Sequence, residues 1–201
     1  EQQGHTGTIF ALSRHGLLPL AHSHELHVQP WQPSDGDMRG LTQLVRERAD
    51  QHIQTGGDWR SVIGGLRPHI SSIWQQATIA EKRKFLRHLL PYWNIHRHRV
   101  HIEITEMLER LIAEQQLKIL GGRILKVDGD GIEIKDRETQ VIHVMPIDWL
   151  INCMGPEQQM RAKHQPLIAA LLASGHASLD ELKLGFAVND ELALIEQDGR
   201  A

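Results

Sequence analysis

The apolar residues of this chain recur at helical spacing between Leu41 and Ile112 and alternate from Leu117 onward. This change of period limits the layers the chain can build. Leu41, Leu44, Val45 and Ala49 define a first helical stripe, which Gly56-Gly57 ends. Asp58 is placed to cap a second helix carrying Trp59, Val62, Ile63 and Leu66, and Pro68 is expected to kink or break it. Thr78 and Glu81 have capping-box spacing ahead of Phe85, Leu86, Leu89 and Leu90. A longer helix follows, with Ile104, Met107, Leu108, Leu111 and Ile112 on one face.

Beyond it the period is two. Leu117 to Leu120 reads as a strand, and Arg123–Val127 and Ile132–Lys135 flank Asp128-Gly129-Asp130-Gly131, a hairpin signal. Gln140 to Val144 supplies a third strand of the meander. Trp149 to Cys153 reads as a buried strand, Pro166 to Ala173 as a short helix closing at Gly175, and Phe186–Val188 and Leu192–Ile195 as final strands. Ahead of the helical block, Thr8 to Leu12 between Gly7 and Gly16 reads as a buried strand, followed by a polar stretch from His22 to Asp37 with Pro30 and Pro33. The expected class is α/β. The expected organisation is a strand and loop over 1–37, a helical insertion over 38–100, and a helix, β-meander and remaining strands over 101–201.

Composition narrows the function. With 40% hydrophobic and 23% charged residues the chain can bury a core. A net charge of -3 gives no basic field, so nucleic acid is not an expected partner. No apolar run approaches the roughly 20 residues that span a bilayer, so no membrane association is expected. Cys153 is the only cysteine, which excludes an internal disulfide framework and fits a reducing, cytoplasmic setting. The start has neither signal peptide nor initiator Met, and the end is a turn without a returning strand. Both suggest a fragment, whose cut sheet edges would favour a homodimer or a swapped arrangement.

Four segments carry a resemblance. They are Gly4-His5-Thr6-Gly7 through Ser13-Arg14-His15-Gly16-Leu17-Leu18-Pro19, Phe85-Leu86-Arg87-His88 with Pro91-Tyr92-Trp93, His96-Arg97-His98-Arg99, and Ile151-Asn152-Cys153-Met154-Gly155-Pro156. Together the segments resemble the FAD/NAD(P)-binding family of bacterial flavoprotein-like oxidoreductases, related to glutathione-reductase-type flavin enzymes. The resemblance implies a partial Rossmann-like FAD/NAD(P)-binding fold with an inserted helical block and a small antiparallel β-meander, using FAD and NADP(H) in the parent protein. In such folds glycine-rich strand–helix turns hold the pyrophosphates. No G-x-G-x-x-G stands between a strand and a helix here, and turns explain Gly121-Gly122 and Gly129-Asp130-Gly131. In the family pattern that loop would precede Glu1, so the isolated chain is expected to be inactive.

Ser13, Arg14 and His15 follow the first strand, where dinucleotide folds read the adenosine ribose. An arginine there suits a 2′-phosphate, whereas an acidic residue would suit the free hydroxyl of NAD. The plainer reading of Arg14 is a solvated turn residue. Asn152, Gly155 and Pro156 resemble the place where related flavin enzymes bring backbone to the cofactor; a strand-ending turn is the alternative. Tyr92, Trp93, His96, Arg97 and Arg99 form an aromatic and basic cluster suited to a phosphate or carboxylate substrate, or else a solvated helix start. Positive charge at a helix start would oppose the dipole, which favours an anionic ligand. His98 and His101 are spaced to share a helix face, and His22, His24 and His27 form a second group. Without H-E-x-x-H or a cysteine partner, however, no metal is assigned. Cys153 is expected to be a small buried hydrophobe. Besides the oxidoreductase, the residues admit an interaction module that docks a partner on Met38–Leu90 and, as a third and weaker reading, a histidine-based metalloprotein.

Overall fold

The computed structural model describes residues 5–23, 28, 30–33, 37–129, 131–155 and 165–200. The chain is mixed α/β, with a four-stranded mixed sheet and several helices. Two compact units divide it, residues 1–150 and 151–201.

In the first unit, strand β1 (Ile9–Ser13) leads to α1 (Met38–Gln54), α2 (Trp59–Leu66), α3 (Ile70–Gln76), α4 (Ile79–Lys84), α5 (Leu90–Arg97) and α6 (Ile102–Ala113). Strands β2 (Leu117–Asp128), β3 (Gly131–Asp136) and β4 (Ile142–Met145) complete the sheet in the order β1-β2-β3-β4. β1 and β2 are parallel, pairing Ile9 with Leu117 through Ser13 with Gly121, and the whole helical block forms their crossover. From Gly122 onward β2 pairs antiparallel with β3, which pairs antiparallel with β4.

Local chemistry accounts for the helix ends. Asp37 accepts from the Gly40 N–H at 2.7 Å and starts α1; Asp58 accepts from the Arg60 N–H at 2.9 Å and starts α2. Thr78 and Glu81 form the expected capping box of α4. Pro68 falls in a 3₁₀ turn, Arg67–His69, which joins α2 to α3. The chain runs from α4 into α5 through a π-helical turn, Phe85–Leu89, immediately before Pro91. Proline cannot donate an amide proton and its ring crowds the carbonyl four residues back, and the wider turn relieves both demands. The core centres on α2, where Val62, Ile63 and Leu66 are buried, with Leu111 of α6, Leu117 of β2, and Ile132 and Ile134 of β3.

Three expectations change. The run from Thr8 to Leu12 does form a strand, β1, but it pairs only with β2 among the described residues, and Ile9 and Phe10 remain partly exposed. Gly121-Gly122 is not a turn. The two residues lie inside one long strand, at the point where β2 passes from its parallel partner to its antiparallel one. Trp149 to Cys153 is neither strand nor buried: Trp149 is 88% exposed and Cys153 is a free, exposed thiol.

The second unit contains α7 (Pro166–Ala173), ended by Gly175 at a φ of 78°. A turn-rich segment follows, packed around Ala177. The expected final strands reduce to single bridges, Leu179 with Phe186 and Val188 with Leu194. Asp180 accepts from the Leu182 and Leu184 N–H groups, and Asn189 from those of Glu191 and Ala193, so side chains here replace a ladder. Among the described residues no helix is long and apolar enough to cross a membrane.

Candidate functional site

The turn after β1 is closed locally. Ser13 Oγ accepts from the Gly16 N–H at 3.0 Å, and Gly16 has a φ of 62°. A Cβ on Gly16 would stand 3.2 Å from the Gly121 backbone nitrogen, so glycine lets the turn lie against β2. The Gly121 carbonyl accepts from the Arg137 N–H at 2.9 Å, which brings the β3–β4 turn to the same place. Ser13 and Arg14 are exposed, and His15 is half-buried.

His15 Nδ1 is buried and has no hydrogen-bond partner among the described residues. Burial, then the charges of Arg137 and Arg14, hold this imidazole below its ordinary pKa, so the ring is neutral at pH 7. Its face tilts against Tyr92 of α5, with ring centres 5.9 Å apart. One helical turn on, His96 Nδ1 lies 2.8 Å from the Tyr92 carbonyl, and its ring stands edge-on to Trp59 of α2 at 4.9 Å. A row of rings, His15, Tyr92, His96 and Trp59, thus follows one side of α5, because residues four apart share a helix face.

The structure does not gather the aromatic and basic cluster into one clamp. Trp93 packs on Phe85 at 6.5 Å, and Arg97 Nη1 lies 3.1 Å from His98 Nε2. Arg99 lies past the end of α5, its guanidinium 5.9 Å from the Trp59 ring centre. His96 and Arg97 occupy the last turn of α5, where the helix dipole favours positive charge. The expected conflict at a helix start therefore disappears, and with it that argument for an anion. His98 caps the end of α5 and His101 the start of α6, so the two share no helix face. No group of three metal-ligating side chains comes together among the described residues.

Asn152 Oδ1 accepts from the Met154 N–H at 3.1 Å, and Gly155 has a φ of 71°, a local turn within the second unit. Pro156, His24 and His27 lie outside the described residues. An open hollow of about 260 Å³ lies beside α1 and α3, with Met38, Leu41, His69, Ile73 and Glu81 in its wall. Both Glu81 oxygens are engaged there by backbone and Thr78, and Asp37 Oδ1 accepts from the Gly40 N–H.

Arg60, Arg67 and Arg137 were not singled out in the sequence, and Trp59 was read only as an apolar residue of the second helix. Arg60 directly follows the Asp58-Trp59 cap, a local signal, but nothing local ties these residues to His15 or Arg99, some thirty or more positions away. No protein-family model matches the chain, and neither does any curated protein or solved structure.

Proposed function

We propose that this chain is part of an FAD/NAD(P)-dependent oxidoreductase, and that the turn closing β1 receives the phosphorylated ribose of NADP(H). The observation that supports this reading is the setting of His15. A neutral imidazole with an unpartnered buried nitrogen lies under the influence of Arg14 and Arg137, at the carboxyl end of a parallel strand pair. Ligands of open α/β sheets bind outside the carboxyl ends of the strands. Two guanidiniums there favour a 2′-phosphate over a hydroxyl.

The pyrophosphate is served differently. α1 begins at Asp37, whose carboxylate already occupies the helix N-terminus, and no glycine-rich strand–helix turn occurs among the described residues. The residues present therefore fit the ribose-phosphate end of the cofactor and offer no cradle for the rest. A bound flavin or nicotinamide would supply the hydride chemistry, while this chain contributes charge and position.

Thermal shift with NADPH and NADH, on the chain and on Arg14→Ala, tests the reading. NADPH should stabilise the chain more than NADH does. Arg14→Ala should weaken NADPH roughly tenfold, the effect of one charge-assisted hydrogen bond, and leave NADH unchanged. Equal loss for both would refute it. The interaction-module reading is weaker, because α2 buries its apolar face within the block. Ile53 is the exposed large hydrophobic among the described residues of Met38–Leu90.

A further inference from the structure

We propose that Arg60 and Arg99, held against the Trp59 indole, together with Arg67, whose charge acts on Arg99, form a second anion site that takes a phosphate or carboxylate group. The site lies at the far end of the ring row from His15 and does not rest on the NADP(H) reading.

The backbone holds Arg99 in place. Val100 donates to the Leu20 carbonyl at 3.0 Å and accepts from the His22 N–H at 2.8 Å, which ties the link after α5 to the segment following β1. From this fixed point the Arg99 side chain turns toward Trp59. Its Nε and Nη1 are buried and donate to nothing among the described residues. A guanidinium is charged at every accessible pH, and buried donors of this kind are ordinarily paired. Burial first, then the nearby charge of Arg60, disfavour the Arg99 cation, with a further unfavourable contribution from Arg67.

Among the described residues Asp58 is the one acid acting on Arg99, and it is already committed. Its Oδ1 accepts from the Arg60 N–H at 2.9 Å and from Arg60 Nη1 at 3.1 Å, and Ser23 donates to the same carboxylate. Arg60 is anchored as well, donating from Nε to the Ala21 carbonyl at 2.8 Å, with its guanidinium 4.5 Å from the Trp59 ring centre. Among the described residues the cluster therefore holds three guanidiniums and one carboxylate. Two of the cations are fixed against an indole, and the third, Arg67, is exposed just beyond α2. Positive charge is in excess, and donors are in excess of acceptors. An oxyanion supplies both deficits, since the planar guanidinium fork matches two oxygens of a carboxylate or phosphate.

The test titrates the whole chain with inorganic phosphate, and separately with acetate, at constant ionic strength, following Tm and tryptophan fluorescence. The wild-type chain, Arg99→Met, Arg67→Ala and Arg14→Ala are compared. Saturable phosphate binding is expected, at least tenfold weaker in Arg99→Met and several-fold weaker in Arg67→Ala, while Arg14→Ala, which removes a guanidinium of the β1 turn, should leave a saturable response that Arg99→Met abolishes. Acetate saturation lost in the same variants would extend the site to carboxylates; no acetate response would confine it to phosphate. Without anion, Arg99→Met should be at least as stable as wild type, because it removes an uncompensated charge. Should that variant fail to fold, exposed Arg67 still decides the matter. A linear, salt-like response of the wild-type chain, or saturation that survives both Arg67→Ala and Arg99→Met, would overturn the proposal. A loss confined to Arg14→Ala would also overturn it, by moving the phosphate to the β1 turn.

Discussion

The helical block and the sheet dispose of their exposed groups in different ways. In the block, α1, α2 and α4 each begin with a side-chain oxygen on a backbone N–H, supplied by Asp37, Asp58 and Thr78. The apolar face of α2 is buried within the same unit. The sheet leaves more open. β1 pairs on one side only among the described residues, and Ile142 and Val144 of β4 are 52% and 67% exposed. The inner strand β3 differs, paired on both edges by β2 and β4 and with Ile132 and Ile134 almost fully buried. A helix satisfies its backbone internally and needs help only at its ends, whereas a strand needs neighbours on both edges. The block should therefore carry most of the cooperative stability, and the sheet should respond locally.

The largest expected effect probes the block. Leu66→Ala, at a position only 4% exposed, should cost about 2–5 kcal/mol, the usual range for deleting a buried leucine. Urea unfolding followed by circular dichroism would measure it. A loss under about 1 kcal/mol would break the comparison, because α2 would then not be the centre of stability. A smaller effect is expected from the meander. Gly131 has a φ of 134°, and a Cβ there would collide with the Met145 carbonyl oxygen. Gly131→Ala should cost about 1–3 kcal/mol through backbone strain. Hydrogen exchange should quicken in β3 and β4 while α2 stays protected; equal quickening in both would mean that the two regions open as one.

What could be read in the sequence was local. The Asp58 cap, the Thr78–Glu81 box, the Asp128–Gly131 hairpin and the Gly175 stop each depend on residues a few positions apart, and each forms where expected. Gly121-Gly122 misled because glycine pairs usually mark turns, whereas these mark a change of strand partner, which depends on β1 more than a hundred residues away. Trp149 to Cys153 has a strand composition, but no partner strand pairs with it among the described residues. The site divides in the same way. Ser13, Arg14 and His15 could be placed at the end of a strand, but the charge of Arg137 on His15 and the meeting of Trp59 with His96 and Arg99 exist only after the crossover closes.

The smallest expected effect compares the two regions through their carboxylates. Glu81 Oε1 accepts from the Met38 N–H at 2.9 Å, while Oε2 accepts from the Thr78 N–H and hydroxyl, so one side chain joins the starts of α1 and α4. The Thr78 hydroxyl first, then the Met38 and Thr78 amides, hold its pKa down to about 2 from an ordinary 4.5. In the β3–β4 turn, the Thr139 amide, then its hydroxyl, and the Glu138 amide lower Asp136 in the same direction. A carboxylate whose folded pKa is depressed releases its proton more readily when folded. Its contribution is complete above the unfolded pKa and is lost as pH falls through the folded value. Stability should therefore decline between about pH 4.5 and 2. Glu81→Gln should flatten that decline in global unfolding. Asp136→Asn should instead change the pH dependence of exchange within the meander alone. If Asp136→Asn flattened the global decline as much as Glu81→Gln does, the turn would be as tightly coupled to the fold as the helix caps, and the contrast between block and sheet would fail.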